Sequence, residues 1–192
     1  MKIKFWGKKP NGDISETNIY SGISENDFQL MLKFGKPNNK IGGYESKQFI
    51  ELPYGMVKIE IPAILKEEDN IGAVDFIMKQ QFEDFNINNY SGNEVVSFLL
   101  WIKTQLEQIN KIEIMFLHSE PEPEMVAAGI NKLNEFDVEP LIERIAKDWN
   151  IKPEDVLKYP YHKIYRKLKM DKIQMEINKS YQKIIEDKHR HK

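Results

Sequence analysis

The sequence predicts an α+β protein, a small N-terminal antiparallel β-sheet followed by a C-terminal all-helical bundle with two long helices. Three observations carry that reading. Apolar and polar residues alternate between tight-turn sequences over the first 65 residues, the apolar spacing turns helical from residue 71 onward, and Ser-x-x-Glu patterns mark two helix entries. The boundaries that follow are an antiparallel β domain at 1–70, a linking helix at 71–90 and a helical domain at 91–192. At 192 residues, 41% hydrophobic and 11% aromatic, the chain is long and apolar enough to bury a core.

The β signals come in two hairpin-like sets. "KIKFW" alternates, Asn11-Gly12 is a tight-turn pair, and "ISETNIYSG" supplies a return strand. "FIEL" and "MVKIEI" repeat the logic around Pro53-Tyr54-Gly55. Between them, residues 34–47 have the Gly, Pro and Asn content of an exposed loop. Gly42-Gly43 lies there without the spacing of a phosphate-cradling loop.

The helical part begins with "IGAVDFIMKQQFEDF", whose apolar residues Ile71, Val74, Ile77, Met78, Phe82 and Phe85 follow a helical period. Ser91 and Glu94 then form a capping box, in which the serine oxygen accepts a free amide and the glutamate accepts the serine's own. The helix they open carries Val95, Leu99, Ile102, Leu106 and Ile109 at spacings of 4, 3, 4 and 3. About 26 residues make a rod of roughly 40 Å, and such a stripe needs a helical neighbour, either a later helix of the same chain or another molecule.

After it, "HSEPEPEMVAAGINKLNEF" reads as a helix entry. Ser119 and Glu122 have the capping-box spacing, and Glu120, Glu122 and Glu124 suit the positive end of a helix dipole better than a metal site, whose ligands converge at i, i+3 or i+4. A helix follows with Leu141, Ile142, Ile145 and Trp149 on its apolar face. Pro153 opens a short turn and Pro160 stops it. From Tyr161 a last helix is expected to turn Ile164, Leu168, Ile173, Ile177, Tyr181 and Ile184 inward, with "EDKHRHK" fraying at its end.

Charge and chemistry narrow the function. The net charge of −2 hides a distribution of −2 over residues 1–90, −6 over 91–140 and +6 over 141–192, which suits an anionic partner or pairing between the two halves. "ERIAKDWNIKPEDV" has helix-turn-helix spacing, with Ala146 at the helix contact, Asn150 at the turn, and Ile151 and Val156 as anchors; this makes a DNA-associated regulator using residues 142–158 one alternative. Against it, Pro160 truncates the second helix, and Glu154 and Asp155 would face phosphate with the wrong sign, so nucleic acid is not the expected partner. With no cysteine, no hydrolase or zincin motif, and histidines only at 118, 162, 189 and 191, the sequence predicts neither an enzyme nor a metal or other cofactor. The N-terminus lacks a secretory apolar core and the longest apolar runs are too short to span a bilayer, so a cytoplasmic protein without membrane association is expected.

"FLLWIKTQLEQIN", the "AAGINKLNEF" block at 127–136 and "LKYPYHKIYRKL" at 157–168 together resemble the small tail-assembly-chaperone-type proteins of bacteriophages and prophages. The resemblance covers residues 91–187 and leaves the N-terminal segment outside it. It implies a non-enzymatic tail morphogenesis protein that keeps a helical client, such as a tape-measure protein, soluble, with tape-measure or tail-tube proteins as partners. The expected client surface is Val95, Leu99, Ile102 and Leu106 with Tyr159, Tyr161 and Tyr165, since amphipathic helices and aromatic anchors commonly bind other helices. A homo-oligomer and a structural neck or tail component of the virion are the further readings that the sequence leaves open.

Overall fold

The computed structural model describes residues 7–8, 14–15, 25–118 and 120–190. The described chain is mostly helical, with only a minimal antiparallel sheet content. β1 (Gly7–Lys8) pairs with β2 (Ile14–Ser15), Gly7 opposite Ser15 and Lys8 opposite Ile14. This is the pairing that an Asn11-Gly12 turn would connect; the turn itself, and the whole of "KIKFW", lie outside the described residues. α1 (Glu25–Phe34) comes next. Within the expected loop, β3 (Lys40–Ile41) and β4 (Tyr44–Glu45) form a second small hairpin. Its turn places Gly42 at φ +57°, a left-handed conformation that glycine adopts without steric cost.

The hairpin expected around Pro53-Tyr54-Gly55 is not formed. "FIEL" contains a 3₁₀ turn (Phe49–Glu51), and "MVKIEI" is a π-helical stretch (Met56–Glu60) that runs into α2 (Ile61–Lys66). Val57 and Ile61 are buried while Ile59, on which a strand reading also depends, is 38% exposed. The buried set therefore follows a helical turn, because tertiary packing outweighs the β preference of alternating Val and Ile. The wide turn has a local cause. Pro62 has no N–H and its ring crowds the carbonyl four residues back, and the backbone relaxes so that Ile61 N–H bonds Met56 O, five residues earlier.

α3 (Asn70–Lys79) is capped by Asp69, whose carboxylate accepts from Gly72 N at 2.8 Å. It stops short of the expected end. Phe82 and Phe85 lie in the following turns and build an aromatic cluster with Tyr44 and Tyr90. α4 (Gly92–Phe116) opens with the complete capping box, Ser91 Oγ accepting Glu94 N and Glu94 accepting Ser91 N. Glu94 also accepts Gly42 N at 3.0 Å, which fastens the β3–β4 hairpin to the helix start.

The rest of the chain is a series of helices of unequal length. α5 (Pro123–Ala127) is only 5 residues long and has Glu122 at its N-cap; Ser119 lies outside the described residues. Gly129 at φ +90° follows its end, and residues 130–136 wind as a 3₁₀ helix. α6 (Glu139–Trp149) ends on Asn150 in the left-handed conformation, α7 (Pro153–Lys158) has 6 residues, and α8 (Tyr161–Arg190) has 30. The segment expected to fray is thus helical as far as Arg190.

One core cluster unites the 3₁₀ turn, α2, α3, α4, α6, α7 and the first turn of α8. Phe49 meets Trp101 edge-on at 5.3 Å and Phe98 lies 5.0 Å from the same indole. The buried Gln105 is not an orphan, since its oxygen accepts Phe49 N. α8 departs from expectation along its length. Ile164 is fully buried, but Ile173, Ile177, Tyr181 and Ile184 are 47%, 55%, 59% and 53% exposed. They lie on the side of α8 away from the core that Ile164 and Leu168 face.

Candidate functional site

The seven residues expected to form a client surface are mostly occupied by the chain's own packing. Val95, Leu99, Ile102 and Tyr161 are buried in the core, so the α4 stripe faces the chain's own elements and offers no open face there. Leu106, Tyr159 and Tyr165 are half-buried against the same core, with Tyr159 edge-on to Trp149 at 5.1 Å. The physical reason is that α3, together with α1, β3 and the Phe49–Glu51 turn, packs on α4, where sequence reasoning had treated α3 only as a linking helix.

The open concave surface lies further along α4. A groove of about 490 Å³ runs between the second half of α4, α6, α8 and the helical segment that starts at Tyr54. Apolar walls come from Ile114, Leu117, Val138, Leu141, Leu168 and Met175. A neighbouring depression of about 280 Å³ shares Lys58, Asn110, Glu113 and Val138 with it and reaches Leu106. The two form one trough along α4.

Tyr54, one of the trough's lining residues, directly follows an isolated bridge between Pro53 and Pro160. Tyr54 N donates to Tyr159 O and Tyr161 N to Leu52 O, each at 2.8 Å, so the start of α8 is clamped beside the start of the 54–66 helix. Gly55 makes the approach possible, as a β-carbon there would sit 3.1 Å from Leu157 Cβ. The clamp stacks three tyrosines. Tyr54 lies 6.0 Å from Tyr161 at 13°, and Tyr161 lies 6.2 Å from Tyr165 at 17°.

Glu113 of α4 ties this stack to the trough. Its Oε1 accepts from the Tyr161 hydroxyl at 2.8 Å and its Oε2 pairs with Lys58 Nζ at 2.7 Å. Burial first, then the hydrogen bond to Glu113 and its charge, raise the Tyr161 phenol well above its ordinary range. Burial and the charges of Glu113 and Asp137 raise Tyr54 likewise, and burial with Glu113 raises Tyr165. All three phenols therefore stay protonated near neutral pH.

The rim is a line of ion pairs along α8. Lys167 bridges Asp148 at 2.6 Å and Asp171 at 2.7 Å, and Arg144 approaches Asp171 at 4.0 Å. Hydrogen bonds to Asp148 and Asp171 raise the Lys167 ammonium, and the bond from Lys167 holds the Asp148 carboxyl below its usual range. Lys172 donates to His118 O at 2.8 Å and Lys179 pairs with Glu122 at 2.6 Å. The basic C-terminal helix thus meets the acidic middle segment within one chain, and Glu122 serves as an ion-pair partner.

Sequence reasoning missed Tyr54, Glu113, Arg144, Asp171 and Lys172. Tyr54 looked like a turn residue, and Glu113 meets Lys58 and Tyr161 across separations of 55 and 48 residues that leave no local pattern. In the segment 142–158, Ala146 and Val156 are buried and Asn150 takes the left-handed turn, as helix-turn-helix spacing requires. The second helix has only 6 residues, and Glu154 and Asp155 occupy its first turn. Among the described residues no group of three or more His, Asp or Glu is placed to hold a metal ion, and no helix is long and apolar enough to cross a membrane. Comparison with models of protein families, with curated proteins and with solved structures finds no match to this chain.

Proposed function

We propose that this protein is a non-enzymatic assembly factor that holds an amphipathic helix of a client chain in the trough between α4, α6 and α8. The supporting observation is the trough's composition: apolar walls that stay open, with Ile114 59% and Met175 55% exposed, beside a rim of paired charges along α8. An amphipathic helix lays its apolar stripe into such walls and its flanking charges along such a rim. The likeness of residues 91–187 to tail-assembly-chaperone-type proteins supplies the context, namely a bacteriophage tail protein acting in the host cytoplasm, with a tape-measure or tail-tube chain as client.

The test is co-expression with the tape-measure protein encoded alongside. The wild type is expected to keep the client soluble, while Ile114→Glu and Met175→Glu, both at exposed positions, lose that effect and retain their own fold by circular dichroism. A client that stays insoluble beside the wild type, or variants as effective as the wild type, would remove the reading. Recovery of the chain from purified particles without any effect on client solubility would favour the structural virion role instead.

A further inference from the structure

α8 carries a second apolar face that the trough does not use. At about 100° per residue, Tyr161, Tyr165, Leu168, Lys172 and Lys179 fall on one side of the helix, and this is the side that meets the body of the protein. Met170, Ile173, Ile177, Tyr181 and Ile184 fall within an arc of about 80° whose centre lies about 150° away from that side. Their exposures run from 47% to 61%. Successive spacings of 3, 4, 4 and 3 residues keep the stripe nearly parallel to the helix axis over four turns.

We infer that this stripe pairs with the same stripe of a second copy of the chain, antiparallel and centred on Ile177. Area is the first argument. With roughly 100 Å² of open surface per side chain, five side chains from each copy give about 1,000 Å² in total, the lower bound that a specific interface has to clear. Stems of the flanking polar residues add to it.

Charge sets the direction. Residues 161–170 hold four basic and no acidic side chains, so a parallel pair would lay these two segments side by side. The antiparallel pair separates them and sets each beside residues 184–190 of the other copy, where Glu186 and Asp187 balance Lys188 and Arg190. It also opposes the two helix dipoles. Centring on Ile177 sets Ile173 against Tyr181 and Met170 against Ile184, a self-complementary arrangement of larger and smaller apolar groups.

This pairing uses neither wall of the trough, so it stands apart from the client reading. Sedimentation of the full chain over a range of concentrations is expected to give twice the 22.7 kDa chain mass. Ile177→Glu sets two carboxylates together at the centre and reduces the mass to that of one chain, with helicity unchanged; Ile114→Glu in the trough leaves the dimer intact. The chain has no cysteine, so introduced thiols are unique. Mixed Met170→Cys and Ile184→Cys proteins should cross-link to one another under mild oxidation in preference to Met170→Cys with itself. A wild type that sediments as one chain, a dimer untouched by Ile177→Glu, or like-with-like cross-linking at position 170 would each overturn the proposal.

Discussion

Replacing Glu113 by alanine should destabilise the protein far more than an average substitution on a groove wall, and the structure allows the size to be worked out. One carboxylate oxygen accepts from the buried Tyr161 hydroxyl at 2.8 Å, a charge-assisted bond worth about 1.5–3 kcal/mol. The other pairs with Lys58, and with the two side chains 27% and 21% exposed that contact adds at most about 1 kcal/mol. Glu113→Ala is therefore expected to cost about 2–4 kcal/mol in urea unfolding at neutral pH. The double-mutant cycle with Tyr161→Phe should return a coupling of about 1–2 kcal/mol, since the second change removes the group that the first leaves unpaired. Alkaline pH gives an independent reading. Tyr161 binds its proton more tightly in the native state, so its contribution is complete below the ordinary phenol value of 10.0 and is lost as pH rises above it. Glu113→Gln keeps an acceptor without the charge, and its stability should fall less steeply above that value. A loss under about 0.5 kcal/mol for Glu113→Ala, or no coupling with Tyr161→Phe, would refute the reasoning.

Substitutions at three further positions probe local structure. Ser91→Ala removes the N-cap of α4 and should cost about 1 kcal/mol in the same unfolding assay, while Ser91→Asp should preserve most of the stability. The Glu94 carboxyl is held below its usual range by the Ser91 hydroxyl and by the Ser91 and Gly42 amides, so its contribution is present above the ordinary value of 4.5 and disappears as pH falls through the lower native value. Glu94→Gln should accordingly flatten the acid limb of the stability curve. At the end of α6, Asn150→Gly should be neutral and Asn150→Ala should cost about 1 kcal/mol, because φ is +53° there and only glycine or asparagine tolerates it readily.

The features legible in the sequence were those encoded within a few residues. Ser91 and Glu94 stand three apart and cap α4 as their spacing predicts; Asn150 and Pro160 punctuate the chain where a left-handed turn and a helix stop are needed. The failures arose where distant parts decide. Alternation at 56–61 is compatible with a strand, and only the packing of Val57 and Ile61 against the core makes it helical. The α4 stripe indicated burial but not by what, so residues expected to meet a client meet α3 and the rest of the chain's own core. In α8 the periodic isoleucines were read as inward because spacing alone does not reveal that the apolar stripe shifts, between Leu168 and Ile173, to the side of the helix away from the core. The trough was the least legible of all. Its central carboxylate, its lysine and its phenol come from three segments that no local motif connects.

The Pro53–Pro160 bridge has a consequence for the order in which the molecule assembles. It joins positions more than a hundred residues apart, so the entropy of closing that loop must be met before the tyrosine stack can form. Helices α3 and α4, adjacent in sequence, can associate early, whereas seating α8 waits for closure and makes refolding slower than helical content alone would suggest. Because neither proline has an amide to donate, the seam stays limited to its two flanking hydrogen bonds, and the late step ends in a clasp that cannot lengthen into a sheet.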